Sequence, residues 1–221
     1  MHKINNITKK KIGIIGSGMV AQTLGTGLLT LGYDVMLGSR DTKKLSDWQS
    51  KNPNAKLGNF DQAAAFGDII ILAVKGTAVE AVVKSVASSL AGKTVVDTNN
   101  PFADAPPTNG VLKFFTTLDE SLMERLQKQA PQANFVKAFN TVGAHLMLNP
   151  NFPGGKPTMC ICGNNDASKK EVSEILNLFD WEVEDMGSIE ASRAIEPLSM
   201  LWAIPGLLHN QWAHAFKLLK V

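Results

Sequence analysis

Cysteine is scarce in this chain, with two residues in 221. A small scaffold stapled by disulfides is thereby excluded. Cys160 and Cys162 sit in "TMCICGN" and are expected to point to opposite faces of a strand, as reduced, buried thiols that do not bridge. The four histidines are scattered and no second ligand pair lies near the cysteines, so no metal site is expected. The single tyrosine, Tyr33, stands at the start of a strand, which leaves no tyrosine–lysine pair for carbonyl reduction. Excess charge is also missing: 22 basic residues face 20 acidic ones, a net +2. That balance gives no reason to expect nucleic acid or an anionic membrane as a partner. No apolar run approaches the roughly 20 residues that span a bilayer. The opening "MHKINNITKKKIGIIG" is basic, but its apolar run is short and enters a glycine loop. It reads as a strand rather than a signal peptide, and a cytoplasmic location is expected.

What is present is an alternation. Apolar, β-branched runs at Lys11–Gly16, Tyr33–Leu37, Ala55–Leu57, Asp68–Val74, Lys93–Asn100, Asn134–Asn140, Thr158–Cys162 and Glu182–Met186 read as strands. Between them, helices are predicted at Met19–Leu31, Asp41–Lys51, Asp61–Phe66, Ala78–Leu90, Leu118–Gln129, Ala144–Leu148 and Ala167–Phe179. Ile189–Val221 reads as mostly helical, interrupted by Pro197 and Pro205. The expected class is α/β: a Rossmann-like, doubly wound, mostly parallel sheet with C-terminal helices. Residues 1–221 are expected to form a single dinucleotide-binding domain, with 189–221 as its C-terminal helical segment.

Gly16-Ser17-Gly18-Met19-Val20-Ala21 fits GxGxxA, placed after an apolar strand and opening a helix. Gly16 lets the chain turn out of the strand, and Gly18 lets the backbone approach a pyrophosphate. The helix N-terminus then offers free amides and a positive dipole end. The second strand ends in Leu37-Gly38-Ser39-Arg40, where an NAD enzyme carries an acid for the ribose 2′-hydroxyl. Ser39 can donate a hydrogen bond, Arg40 offers a planar fork, and Lys44 lies one turn on. The expected cofactor is therefore NADP(H). "AGKT" at Ala91–Thr94 imitates a P-loop but has Ala87 where the motif needs glycine and runs into a strand, so Lys93 is read as an ordinary exposed residue.

Ligands of open parallel sheets bind beyond the carboxyl ends of the strands. Those ends read Ala73-Val74-Lys75-Gly76, Thr98-Asn99-Asn100-Pro101 and Ala138-Phe139-Asn140-Thr141. Asn99 and Asn140 carry amides where a nicotinamide and its ribose would lie, or else shape turns. No catalytic triad is visible, and His145 reads either as an acid–base group or as a surface histidine. A site without acid–base machinery suits hydride exchange with a flavin-like ring, because the cofactors carry that chemistry.

The stretches "IGIIGSGMVAQTLGTGLLTLGYDVMLGSR", "GDIIILAV", "VVDTNNP", "VKAFNTV" and "ICGNNDASKKEVSEILNLFDWEVEDMGSIEASRAIEPL" together carry a resemblance. The chain resembles the NADP-dependent oxidoreductases that use the deazaflavin coenzyme F-420, their bacterial dinucleotide-binding relatives, and the cytosolic domain of six-span metalloreductases. The resemblance implies that Gly16, Ser17, Gly18, Met19 and Val20 hold the pyrophosphate side. It implies that Ser39, Arg40 and Lys44 hold the 2′-phosphate, and that Val74, Lys75, Asn99, Ala138 and Asn140 line the nicotinamide side. Ala73 and Pro101 join that side as strand-end residues. The family also implies direct hydride transfer to a flavin or deazaflavin, and a homodimer built through the C-terminal helices. Lys75 departs from the pattern, standing where the deazaflavin enzymes commonly carry proline. The alternatives are a non-enzymatic NADP(H)-binding redox sensor or regulator, and an imine or hydroxyacid reductase. The last class usually appends a longer helical domain than the about thirty residues after Ile189.

Overall fold

A computed structural model describes residues 10–221; the basic residues 1–9, read above as free of a signal peptide, lie outside the described residues. Six short β-branched runs become β1 (Lys11–Ile15), β2 (Asp34–Gly38), β3 (Lys56–Gly58), β4 (Ile69–Leu72), β5 (Thr94–Asp97) and β6 (Asn134–Lys137). They form one parallel sheet in the order β3-β2-β1-β4-β5-β6. Ile15 pairs with Gly38 on one side and Leu72 on the other, so these three carboxyl ends rise together. The order reverses direction between β1 and β4, the place where such sheets open a ligand crevice.

The apolar runs are continuous because both sheet faces are covered. Alternate residues divide between two cores: Ile12, Ile14, Ile69 and Ile71 face one, and Ile15, Ile70 and Leu72 face the other. The first core is covered by α1 (Met19–Thr30), α2 (Ser46–Lys51) and α6 (Asp166–Leu178), which contribute Leu24, Trp48 and Val172. The second is covered by α3 (Phe60–Phe66), α4 (Gly76–Leu90) and α5 (Leu122–Gln129), which contribute Ala63, Val83 and Leu126. Each fully buried leucine or isoleucine stabilises the fold by about 1.5–3 kcal/mol over its exposed state.

β7 (Thr158–Ile161) and β8 (Glu182–Asp185) pair in parallel with each other. They join the main sheet through one antiparallel bridge, in which Lys137 N donates to Cys162 O at 3.0 Å. The Rossmann-like, mostly parallel sheet read from the sequence is thus the fold found. Cys160 and Cys162 correct their expectation. Two residues along a strand return to the same face, and both thiols pack with the same core.

Helical expectations also change: α5 begins at Leu122 rather than Leu118, and Ala144–Leu148 is a 3-10 turn at Ala144–Leu146. Asp41–Lys51 divides into a 3-10 turn at Thr42–Leu45 followed by α2. α7 (Ser192–His209) runs unbroken through Pro197 and Pro205. A proline interior to a helix removes one hydrogen bond; burial of Ile195, Glu196, Ser199 and Ala203 along one side holds the helix against that loss. The helix stops at Asn210, in the left-handed region with φ 54°. Residues 210–221 are not helical. That tail folds back, with Trp202 Nε1 donating to His214 O at 2.9 Å and Thr158 N donating to Phe216 O at 2.9 Å.

Candidate functional site

The glycine turn opens the crevice. Gly16 adopts φ +146°, and a Cβ there would stand 2.1 Å from Ala73 O, so only glycine lets β1 and β4 approach at this point. Gly16 N donates to Gly38 O at 3.0 Å, which closes the turn onto β2. α1 then begins at Met19, with no side chain capping its N-terminus and no acid in its first turn. Its orphan amides are therefore available to an anion. In front of them lies a cleft of about 510 Å³, lined by Gly16, Ser17 and Gly18 from the turn, Ser39, Arg40 and Lys44 from the end of β2, and Ala73, Val74 and Lys75 from the end of β4. The two ends are thus brought together as the spacing implied, and open space beside Gly18 leaves the backbone accessible.

At the β2 end the roles divide. Ser39 is buried, its hydroxyl donating to Asp41 O at 2.8 Å and accepting from Asp41 N at 3.1 Å. It therefore shapes the loop, while Arg40 and Lys44 stay exposed at the cleft. Asp41 also lines the cleft, an acid that the reading of Ser-Arg passed over. Its carboxylate is turned aside to accept from Lys43 N at 3.1 Å. Phe60, Ala78, Ala81, Val82 and Ser85 complete the wall. Only the pairing of α3 and α4 with this edge of the sheet brings them there, so no local sequence pattern could have announced them.

A second cavity of about 310 Å³ adjoins the first and shares Ala73, Val74 and Lys75 with it. Val20, Thr98, Asn99 and Asn100 form its inner wall, and Phe102, Ala103 and Asp104 its outer one. Lys75 forms an ion pair with Asp104 across its mouth. Gly76 lets α4 start against this wall, since a Cβ there would lie 2.0 Å from Asn100 O. Four expected residues stand outside both linings. Met19 is 72% exposed, Ala138 is wholly within the core, and Pro101 and Asn140 are buried.

Asn140 follows Phe139, which holds a left-handed φ of 61°, costly for an aromatic residue. Asn140 Nδ2 donates to Asn100 Oδ1 at 3.0 Å and to Ile195 O at 3.1 Å, tying β6 to the cavity wall and to α7. Among the described residues its Oδ1 is buried without a partner. Beneath the wall, Lys137 is fully buried against Asp97 and Glu196, at 2.5 and 2.8 Å. Burial alone would drive the ammonium toward neutrality; the two carboxylates outweigh it and hold Lys137 above its ordinary value. His145 is exposed on a 3-10 turn. Among the described residues no cluster of histidine, cysteine, aspartate and glutamate could hold a metal ion, and no helix is long and apolar enough to cross a membrane.

Strand order, glycine turn and crevice define a Rossmann-like α/β protein with a cleft at the point where the strand order reverses. Residues 11–101 match the family described as NADP oxidoreductase, coenzyme F420-dependent. It is 32% identical over 204 residues to metalloreductase STEAP3 of Rattus norvegicus, covering 90% of this chain and 39% of that protein. It is 29% identical over 204 residues to the F420-dependent NADP reductase of Methanocaldococcus jannaschii, covering 86% of this chain and 90% of that one. A crystal structure assigned as an F420-dependent NADP reductase, from Arthrobacter sp. FB24, superposes with a TM-score of 0.90 at 29% identity. It covers 96% of this chain and 100% of its own. The chain therefore spans about two fifths of the metalloreductase and nearly all of the F420-dependent reductases.

Proposed function

We propose that this chain is an NADP(H)-dependent oxidoreductase that passes a hydride between the nicotinamide and a small acceptor, a flavin or deazaflavin ring by preference. The observation that carries the reading is the pair of joined cavities. One ends in Arg40 and Lys44 and has the α1 amides at its centre; the other continues from it at Lys75. Arg40 and Lys44 supply fixed positive charge for a 2′-phosphate. The α1 amides suit a pyrophosphate. NADPH, when bound, supplies the hydride, two electrons with one proton; the chain's own residues bind, orient and shield. Two rings stacked in the second cavity need no protein acid or base between them. The family match and the reductases named above support the same reading.

The test is NADPH oxidation followed with the deazaflavin, FMN, FAD and a ferric chelate as separate acceptors, with NADH as control donor. Turnover with one acceptor supports the reading and names the second substrate. Tight NADPH binding with no turnover overturns the flavin or deazaflavin preference and favours a redox-sensing or regulatory protein, or an acceptor outside the flavins. The reading includes a homodimer through α7, whose Leu201, Leu207 and Leu208 are exposed. A monomer by light scattering at micromolar protein would remove that part.

A further inference from the structure

Two strand ends carry charged residues where the covered sheet otherwise carries apolar ones: Asp97 closes β5 and Lys137 closes β6, both fully buried. The Lys137 ammonium has three donors and uses all three. It donates to Asp97 Oδ2 at 2.5 Å and to Asn99 O at 3.0 Å, and pairs with Glu196 Oε1 at 2.8 Å. Glu196 reaches in from α7 and also accepts from Leu122 N at 2.9 Å and Met123 N at 3.0 Å. Two carboxylates and one ammonium leave a net negative charge, which the N-terminal amides of α5 complement. A buried network of this kind is weak as a device for stability, since well-packed apolar side chains often do as well. Its position beneath the second cavity directs attention to what it orients.

That object is Asn99. Asp97 Oδ1 accepts from Asn99 N at 3.0 Å and from Asn99 Nδ2 at 2.8 Å, and Leu72 O accepts from Asn99 Nδ2 at 3.2 Å. A carboxylate and a backbone carbonyl can only accept. The carboxamide therefore stands one way round, with its nitrogen turned into the protein. Asn99 lines the second cavity, and among the described residues nothing donates to its Oδ1. We propose that Lys137, Asp97 and Glu196 are positioning residues that hold Asn99 Oδ1 as a fixed acceptor for a hydrogen-bond donor on the nicotinamide half of the cofactor. The inference rests on the cofactor reading above. The donor is the carboxamide N–H of the nicotinamide or a hydroxyl of its ribose. Asp97 is essential as an acceptor-only partner, because an amide at this position could also donate and would leave Leu72 O as the one group fixing which way Asn99 stands.

The test is equilibrium binding of NADP+, of its 3-acetylpyridine analogue and of 2′,5′-ADP to wild type, Asn99→Ala, Asp97→Asn and Lys137→Met, with thermal unfolding in parallel. Asn99→Ala and Asp97→Asn are each expected to weaken NADP+ by about tenfold and to leave 2′,5′-ADP unchanged. An Asn99→Ala/Asp97→Asn double variant is expected to lose no more than either single one. A generally loosened protein would lose both ligands alike, and that pattern in Asp97→Asn overturns the proposal, as does full additivity. Lys137→Met leaves two carboxylates buried without their cation; should it fail to fold, Asp97→Asn compared with Asn99→Ala and their double variant decides. An Asn99→Ala protein that binds NADP+ as wild type does overturns this inference alone. A wild type that binds neither NADP+ nor 2′,5′-ADP overturns the cofactor reading and this inference with it. The acetylpyridine analogue lacks the amide donor. Supportive data in which wild type disfavours it and Asn99→Ala does not assign the donor to the carboxamide; equal discrimination by both assigns it to the ribose.

Discussion

Arg40→Ala tests the cofactor preference most directly. Arg40 stands exposed at the end of the cleft, lifted there by the Ser39–Asp41 turn, with Lys44 on the following 3-10 turn. A charge-assisted hydrogen bond is worth about 1.5–3 kcal/mol, or about 10- to 150-fold in affinity. Solvent exposure and salt screening favour the lower part of that range. Lys44 retains part of the attraction once Arg40 is gone. The expected loss is therefore about 10- to 30-fold in NADPH affinity, and less than twofold for NADH, which lacks the 2′-phosphate. Titration of nicotinamide fluorescence, or calorimetry, measures both constants. The wild-type preference is expected to shrink as salt rises, because the screening length falls from about 10 Å at 0.1 M to about 3 Å at 1 M. Equal losses for the two cofactors, or a preference indifferent to salt, would refute the assignment of this arginine.

Other consequences are open to measurement. Gly76→Ala drives a methyl group against Asn100 O, 2.0 Å from the Cβ position; a loss of about 1–3 kcal/mol is expected, at roughly 2–4 °C of Tm per kcal/mol. An unchanged Tm would mean that the α4 start and the cavity wall are not tightly apposed. The Arg193 hydrogen bond outweighs burial and lowers the Glu124 carboxyl to about 2. A depressed carboxylate stabilises the fold above its unfolded value of 4.5, and the gain disappears as pH falls toward 2. With Arg193 partly exposed, about 1–2 kcal/mol is expected between wild type and Glu124→Gln at pH 7, vanishing near pH 2. Denaturant titrations across that range that show a constant difference would contradict it. Burial pushes the Cys162 thiol up to about 12 and raises the half-buried Cys160 as well. Both are expected to resist a disulfide-exchange reagent at pH 8 until denaturant is added; rapid labelling of Cys162 in the native protein would count against its burial.

The sequence by itself determined the sheet and which of its ends line the first cleft. Strand runs, their alternation with helices and the GxGxxA turn are local signals, set by side-chain branching, hydrophobic period and the steric freedom of glycine. The Ser-Arg end of the second strand lies a fixed distance along the same βαβ unit, so its arrival at the cleft was legible too. Tertiary structure decided the rest. Pro197 and Pro205 read as breaks, yet packing along α7 carries the helix through both. The tail after Asn210 is not helical and docks on Trp202 and, 58 residues away in sequence, on Thr158. Asn140 read as a cavity residue, but the left-handed turn at Phe139 directs it to Asn100 and Ile195. Lys137 and Asp97 carry no local signal that marks them out from their strands. Only the parallel pairing of β5 with β6, which sets Asp97 opposite Lys137, and the return of α7 to place Glu196 above them, made the pair a buried charge network. Local sequence encodes local geometry; which charges meet in the dark of a core depends on the whole chain closing around them.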